Sequence, residues 1–161
     1  MSWLSFVTEV MEKLSDLDLQ ILEILQDNAR TSYSAMAREL DIPESTIRYR
    51  VEKLQETGVI TAFMAMLDPR KIGQEITAIA LIKVDSSHIK EASEALVKFD
   101  ESHHLFRSTG MYDLVSVVHA RDIKHLNDLM TRIEALPGVR EASVEVATYL
   151  IKVEPKFKLR N

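Results

Sequence analysis

The sequence contains no cysteine, and it has only four glycines and four prolines among 161 residues. Without cysteine the protein forms no disulfide and has neither a thiolate metal site nor a cysteine nucleophile. The low glycine and proline content argues against disorder. With 46% hydrophobic residues, the chain can build a core for one domain of ordinary size or for two small ones.

Long apolar runs are also missing. No stretch approaches the roughly 18 to 20 apolar residues that cross a bilayer, and no basic segment leads into a signal-like apolar segment. We therefore expect a soluble, cytoplasmic protein that has no membrane partner.

Positive charge is scarce, because 20 lysines and arginines stand against 25 acids and the net charge is −5. An acidic balance is unusual for a nucleic-acid-binding protein. Arg48, Arg50 and Lys53, however, lie close together with Glu52 as the single acid between Thr46 and Lys53. Such a narrow basic stripe predicts modest DNA affinity for one subunit, so several subunits would have to bind one duplex.

The stretch from Tyr33 to Leu54 has the pattern of a helix-turn-helix. Ile47, Val51 and Leu54 recur at i, i+4 and i+7, which predicts a helix with one buried face. Pro43 favours a turn before that helix, since it disfavours helical geometry in the preceding residue and fits a first helical turn. The opposite face carries hydroxyls and cations, which suit contact with phosphates and base edges in a major groove.

Further helices and strands follow from hydrophobic periodicity. We expect a first helix over residues 16–27, capped by Ser15 or Asp16, and an extended strand over residues 59–67 after the helix-turn-helix. The predicted domains are an N-terminal extension (1–14), the helix-turn-helix domain (15–62), a strand and linker (63–74), an α+β domain (75–155) and a C-terminal tail (156–161).

The second half predicts the order β-α-β-β-α-β, which is typical of a ferredoxin-like fold. Its four strands are expected at residues 76–84, 104–109, 113–120 and 142–153, with helices at 89–99 and 123–136. The fold class is therefore α+β, in which an N-terminal winged helix-turn-helix domain is joined to a C-terminal ferredoxin-like domain.

The order and spacing of these segments resemble the Lrp/AsnC, or feast/famine, family of regulators. The segments that carry the resemblance are LSDLDLQILEILQDNAR, DIPESTIRYRVEKLQETGVI, the Asp68-Pro69 linker and GMYDLVSVV. The resemblance implies a sequence-specific transcriptional regulator that binds double-stranded DNA. It further implies an amino acid or related metabolite as effector, and a homodimer that assembles to a tetramer or octamer with sheets of paired subunits facing each other.

Two sets of site residues follow by position. The DNA-binding candidates on the second helix of the motif are Ser45, Thr46, Arg48, Tyr49, Arg50 and Lys53, with Arg50 either a phosphate contact or an ion-pair partner. The effector-binding candidates, expected around one loop between dimers, are Thr109, Gly110, Tyr112, Asp113 and Thr148. The same loop can also be a plain hairpin turn that binds nothing.

Two other functions remain open. One is an architectural protein that wraps DNA without an effector. The other is an enzyme, since proteins of this fold that decarboxylate tetrapyrroles resemble the family. His103, His104 and His119 would then be the acids or metal ligands. Because neighbouring residues of a strand point to opposite faces, His103 and His104 are expected on different sides. We expect no catalytic residues, no metal site and no cofactor.

Overall fold

The computed structural model describes residues 14–159, which divide into two compact units. The helical unit comprises residues 14–65 together with 153–159, and the sheet unit comprises Met66–Lys152. The predicted extension over residues 1–14 lies almost wholly outside the described residues. The described residues from Val153 onward group with the helical unit, whereas the α+β domain was predicted to extend to residue 155. No helix in the described range is long and apolar enough to span a membrane.

The described residues of the helical unit contain three helices: α1 (Asp16–Asp27), α2 (Tyr33–Leu40) and α3 (Glu44–Glu56). A reciprocal cap begins α1, because the Ser15 hydroxyl accepts from the Asp18 N–H and the Asp18 carboxylate accepts from the Ser15 N–H. This arrangement pairs donors that the first helical turn leaves without partners. The predicted bounds of α1 and its cap at Ser15 are confirmed.

The turn between α2 and α3 depends on Asp41, which has left-handed backbone angles (φ 53°, ψ 48°). Its N–H donates to the carbonyl of Ala37 and so ends α2. A left-handed residue at this position is a common helix ending, although glycine adopts it with less strain. Pro43 then precedes α3, as predicted.

The core of the helical unit is apolar and comes from all three helices. Ile47, Val51 and Leu54 of α3 are buried, so the predicted inner face of this helix is confirmed. In α1, Ile21, Leu22 and Leu25 are buried, and Leu17 and Ile24 pack against them partly buried. The complete set of buried core residues is Ile21, Leu22, Leu25, Met36, Ile47, Val51 and Leu54.

The strand predicted over residues 59–67 is absent from the described structure. These residues pair with no strand, and the next element is a short 3₁₀ turn, Pro69–Ile72. Phe63, Met64 and Leu67 remain exposed. An apolar sequence favours an extended backbone, but a strand forms only where a neighbour supplies hydrogen bonds. The prediction was wrong because the sequence pattern carries no information about that neighbour.

The sheet unit has the predicted order of elements. These are β1 (Ile76–Val84), α4 (Ile89–Leu96), β2 (Ser102–Arg107), β3 (Leu114–Ala120), α5 (Ile123–Glu134) and β4 (Val139–Val146). The strands lie in the order β2-β3-β1-β4, and every neighbouring pair is antiparallel. The α+β, ferredoxin-like class is confirmed.

Alternation along the strands gives the sheet two different faces. One face packs against α4 and α5 through buried residues such as Ala80, Ile82 and Val118. The buried hydroxyl of Ser116 on this face lies 2.7 Å from that of Ser102. The other face, here called the open face, carries Thr77, Ile79, Leu81, Lys83, His104, Phe106, Val115, Val117, His119, Glu141, Ser143 and Glu145.

The last strand begins and ends earlier than residues 142–153, where it was predicted. Its final pair joins Ala78 to Val146, and the Ala147 N–H donates to the carbonyl of Thr77. Because β1 begins at Ile76, almost no β1 residue is left to pair with the apolar residues after Ala147. The length of the neighbouring strand therefore sets the end of β4.

Candidate nucleic-acid interface and effector loop

The outer face of α3 is presented to solvent because Ile47, Val51 and Leu54 hold the opposite face in the core. Ser45, Arg48 and Tyr49 are exposed, and Tyr49 is 60% accessible. The helix thus displays a hydroxyl, a guanidinium and a phenol on one side. These groups can donate hydrogen bonds to phosphates and to base edges.

Two neighbours hold the guanidinium of Arg48. Its Nη2 lies 3.1 Å from Oε1 of Glu44, one turn earlier on α3. Its Cζ lies 4.9 Å from the centre of the Tyr33 ring, a cation–π arrangement with α2. Both Arg48 and Glu44 side chains are about half exposed, so the pair can open at little cost. Arg48 is therefore oriented outward and can exchange Glu44 for an anionic partner.

The N-terminus of α2 adjoins this side of α3. Ser32, Tyr33 and Ser34 line one groove together with Glu44 and Arg48. The Ser32 hydroxyl accepts from the Ala35 N–H and lies 3.1 Å from the Ser34 hydroxyl. None of these three residues at the start of α2 was among the predicted DNA contacts. Two serines around a helix start, followed one helix later by arginine, are the sequence signal that could have indicated them.

Arg50 does not share the outer face with Arg48. Its Nη1 lies 3.6 Å from Oδ2 of Asp18, whose side chain is only 10% exposed. Of the two roles predicted for Arg50, the ion pair is the one present, and its partner is a nearly buried carboxylate of α1. The ion pair joins α3 to α1, and the DNA contact predicted for Arg50 stays a prediction.

Thr46 and Lys53 are half-buried at the edges of the outer face. Each presents only part of its side chain, whereas Ser45, Arg48 and Tyr49 are open. With Arg50 turned towards α1, the basic stripe is narrower than the sequence suggested.

The loop between β2 and β3, residues 108–113, is where the effector was predicted to bind, and it is called the effector loop here. Hydrogen bonds within the loop and to β1 hold it in place. The Ser108 N–H donates to the Asp113 carbonyl, and the Asp113 N–H donates to the Ile82 carbonyl. The Asp113 carboxylate accepts from the Val84 N–H at 2.9 Å, and the Gly110 N–H donates to the Ser108 hydroxyl. Asp113 and Gly110, both predicted effector contacts, thus already have partners in the chain.

Tyr112 belongs to a polar cluster at one end of the open face. The Ser143 hydroxyl lies 3.4 Å from the Tyr112 hydroxyl, and Lys83 Nζ lies 5.2 Å from the centre of the Tyr112 ring. Lys83 also pairs with Glu141 at 2.7 Å, and this hydrogen bond raises the pKa of Lys83. The prediction missed Lys83, Ser143 and Glu141. A lysine inside the otherwise apolar run ITAIALIKV is a signal that could have indicated this end of the sheet.

Thr148 does not lie beside this loop in the same chain. It follows Ala147, which bonds to Thr77 at the start of β1, whereas Asp113 bonds to Ile82 and Val84 at the end of β1. Thr77 and Ile82 are separated by about 17 Å along a strand that rises about 3.4 Å per residue. The predicted placement of Thr148 near the loop is wrong for one chain, because β4 runs antiparallel to β1. Thr109 lies in the loop itself, next to Gly110.

The three histidines gather on the open face, contrary to the prediction that His103 and His104 point to opposite sides. A bulge between Ser102 and His104 breaks the alternation of β2. His103 stacks edge-on against His119 with ring centroids 4.7 Å apart, and Thr77 Oγ1 lies 3.0 Å from His119 Nδ1. Burial lowers the pKa of His119, and the neighbouring His103 and His104 lower it further. Residues 14–159 contain no group of three or more potential ligands arranged to hold a metal ion.

Two protein-family models match the chain. One, described as winged helix-turn-helix DNA-binding, matches residues 14–61, and the other, described as the Lrp/AsnC ligand binding domain, matches residues 77–156. Among curated proteins, the transcriptional regulator Ptr1 of Methanocaldococcus jannaschii is 39% identical over 91% of this chain and 99% of its own. The regulator FL11 of Pyrococcus furiosus is 33% identical over 78% of this chain and 83% of its own.

Solved structures share the arrangement of elements. E. coli AsnC is 26% identical, with a TM-score of 0.81 over 87% of this chain and 95% of that one. An AsnC family regulator from Agrobacterium tumefaciens is 28% identical, with a TM-score of 0.82 over 90% and 97%. A regulator from Neisseria meningitidis solved as an L-Met complex is 19% identical and shows the same fold, with a TM-score of 0.83 over 91% and 97%.

Proposed function

The chain belongs to the Lrp/AsnC family of DNA-binding transcriptional regulators, and from this premise we propose that it binds a specific operator through α3. We further propose that an amino acid or a related metabolite, bound between C-terminal domains, changes its affinity for that operator. The observation that carries the DNA-binding part is the outward display of Ser45, Arg48 and Tyr49 on a helix whose other face is fixed in the core.

A single subunit offers little positive charge to DNA. Arg48 is the exposed arginine of the α3 face, and Arg50 is engaged with Asp18. Because affinity rises with the number of phosphates neutralised, one such helix gives weak binding and two or more on one duplex give strong binding. Assembly into a homodimer, and further into a tetramer or octamer, supplies those copies.

The open face of the sheet supports the dimer. The side chains of Ile79 and Phe106 on this face are 38% and 51% exposed, and those of Leu81 and Val117 beside them are half-buried. The middle of this face is apolar, although the Lys83–Glu141 pair lies at one end of it. An apolar sheet surface that no helix of the described chain covers is stabilised when a second such surface packs on it. We therefore place the paired sheets at this surface.

The polar cluster beside the effector loop, at one end of the open face, supports a ligand site there. Tyr112, Lys83 and Glu141 offer a phenol, an ammonium and a carboxylate within one cluster. An amino acid carries one charge of each sign, which such a pair can bind. The L-Met complex of the Neisseria meningitidis regulator supports an amino acid as the class of ligand. Thr109 stays a candidate on the same loop, and Thr148 would have to come from another subunit.

The experiment has two stages. First, duplexes are selected from a random-sequence pool with the full-length protein, and affinity for the selected and a scrambled duplex is compared at fixed salt. Preference by roughly 4 kcal/mol or more marks a specific regulator, whereas equal affinity would favour the architectural function.

Second, L-methionine and the other nineteen amino acids are tested by thermal shift and then for their effect on duplex affinity. A ligand at 100 times its dissociation constant adds about 2.7 kcal/mol to the native state.

A further inference from the structure

The C-terminal tail returns to the first helix of the DNA-binding unit. The Phe157 N–H donates to Oε1 of Gln26 at 2.7 Å, and Nε2 of Gln26 donates to the Phe157 carbonyl at 3.1 Å. One side-chain amide thus pairs both main-chain groups of a single residue, as a neighbouring β-strand would. The Phe157 side chain itself is 79% exposed, so the contact recognises the backbone of the tail.

Residues on either side of Phe157 strengthen this contact. Lys156 Nζ lies 2.7 Å from Oδ1 of Asp27, and this hydrogen bond raises the pKa of Lys156. Leu159 packs against the apolar core of the helical unit. The tail is therefore attached to the end of α1 by main-chain and ionic contacts, and to the core of the helical unit by an apolar contact two residues later.

Neither family match accounts for the whole contact. The matched regions end at residues 61 and 156, so Phe157 and Leu159 lie beyond both. The chain also passes between the two units twice, at residues 65–66 and again at residues 152–153. The second passage leads directly from the sheet unit into the tail that binds α1.

The contact reaches α3 through α1. Asp18 on α1 is the partner of Arg50 on α3, while Gln26 and Asp27 at the other end of α1 bind the tail. A helix attached to its surroundings at both ends is restrained more than one attached at its start alone. The position of α1 bears in turn on the face that α3 presents.

We propose that residues 153–159 form a clasp that binds the end of α1 and thereby holds α3 in its DNA-binding position. This deepens the proposed function, on which its effect at DNA rests. The segment that binds the end of α1 is this chain's own tail. Once bound, it packs beside the three described helices as part of the DNA-binding unit. Salt screens the attraction between exposed charges. The ion pair between Lys156 and Asp27 is therefore the contact of the clasp that high salt weakens.

The first test compares Gln26→Met with Gln20→Met in the full-length protein by native-state hydrogen exchange. Both substitutions lie on α1 and keep helix propensity, but only the first removes the two bonds to Phe157. The amides of Ile21 and Leu25 should lose about tenfold in protection in Gln26→Met, because two hydrogen bonds are lost. Equal protection in the two variants would overturn the clasp.

The second test measures duplex affinity for a chain that ends at Pro155 and for Gln26→Met. The probe is the duplex selected from a random-sequence pool by the wild-type protein, at one fixed salt concentration. Both variants should bind about fivefold to tenfold more weakly than Gln20→Met. Unchanged affinity in both would overturn the proposal even if exchange at α1 rises. A wild-type protein that selects no duplex would instead reject the proposed function, and the exchange comparison would still decide whether the tail holds α1.

Discussion

Two surfaces of the molecule, the outer face of α3 and the middle of the open face, differ in character. On the helical unit, Arg48 pairs with Glu44, and both side chains are about half exposed, so this carboxylate can be replaced. On the sheet unit, the open face exposes Ile79 and Phe106, which are apolar. Polar groups with replaceable partners suit a ligand that is itself charged, such as DNA. Apolar groups gain most from another apolar surface. The comparison teaches that the α3 face can exchange its contacts, whereas the middle of the open face gains stability when it is covered.

Local packing also differs between Gly138 in the sheet unit and Gly58 in the helical unit, and a substitution at Gly138 has the largest expected effect. Gly138 has a φ of +76°, and a Cβ added there would lie 2.2 Å from the Cβ of His88. Gly138→Ala should therefore lower the free energy of unfolding by about 3 kcal/mol, from overpacking together with backbone strain. Urea denaturation followed by circular dichroism measures the change.

The matched control in the helical unit is Gly58→Ala. Gly58 has a φ of +73° but nothing within 4 Å of an added Cβ, so only the backbone strain of about 1 kcal/mol should appear. If the two alanine variants lose equal stability, the close contact between position 138 and His88 does not limit the side chain there.

The second prediction concerns the open face of the sheet, which we expect a second subunit to cover. Val117→Asp places a carboxylate in the middle of that face, and two-fold symmetry would bury it twice in a dimer. The dissociation constant of the dimer should rise roughly 100-fold or more by sedimentation analysis, because each charge loses its water. Val97→Asp, at a 71% exposed site after α4, is the control and should leave assembly unchanged. Dimers of normal stability in Val117→Asp would place the interface elsewhere.

Exchange of partners at α3 is tested by Arg48→Ala. Loss of an arginine that contacts DNA should weaken binding to the selected duplex by about 1–3 kcal/mol. Stability should change little, because the Arg48–Glu44 pair is exposed. A fluorescence anisotropy titration at fixed salt measures the affinity.

Arg50→Ala is the contrasting substitution on the same helix. It leaves the nearly buried Asp18 without its cation, so stability should fall by about 1 kcal/mol. The dependence of duplex affinity on salt should stay unchanged, since no phosphate contact is lost. A salt dependence that becomes shallower in Arg50→Ala would return Arg50 to the DNA interface.

The smallest expected effect concerns His119 and pH. Its pKa is lowered in the folded protein, so the unfolded chain takes up a proton first as pH falls below about 6.5. Stability is therefore lost as pH falls through that value, and the loss ends below the folded pKa. Thermal unfolding of wild type and His119→Gln between pH 7.5 and 5.5 should show a steeper decline in wild type. Parallel curves would mean that the histidine cluster does not disfavour the charged imidazole.

Local signals in the sequence predicted much of the fold. The bounds of α1 and β1 follow from capping residues and from a bounded apolar run, which depend on neighbours in sequence. The buried face of α3 follows from the 3.6-residue period. Ser45, Arg48 and Tyr49 are exposed as expected because they occupy the remaining face of that helix.

Features that depend on distant residues were not predictable in this way. The end of β4 depends on where β1 begins, the inward turn of Arg50 depends on Asp18 in another helix, and Thr148 is placed by strand direction. The docking of Phe157 on Gln26 joins residues that are 131 positions apart. A pattern read along the chain contains no information on such pairings until the tertiary structure is known.

The bulge in β2 also bears on the protein's behaviour at high concentration. β2 is an outer strand of the sheet, and the free edge of a regular strand can recruit the edge of another molecule into an aggregate. The shift in register between Ser102 and His104 interrupts that edge and twists it away from a straight partner. Deleting His103 would restore regular alternation, and it would also produce a smoother edge that polymerises more readily.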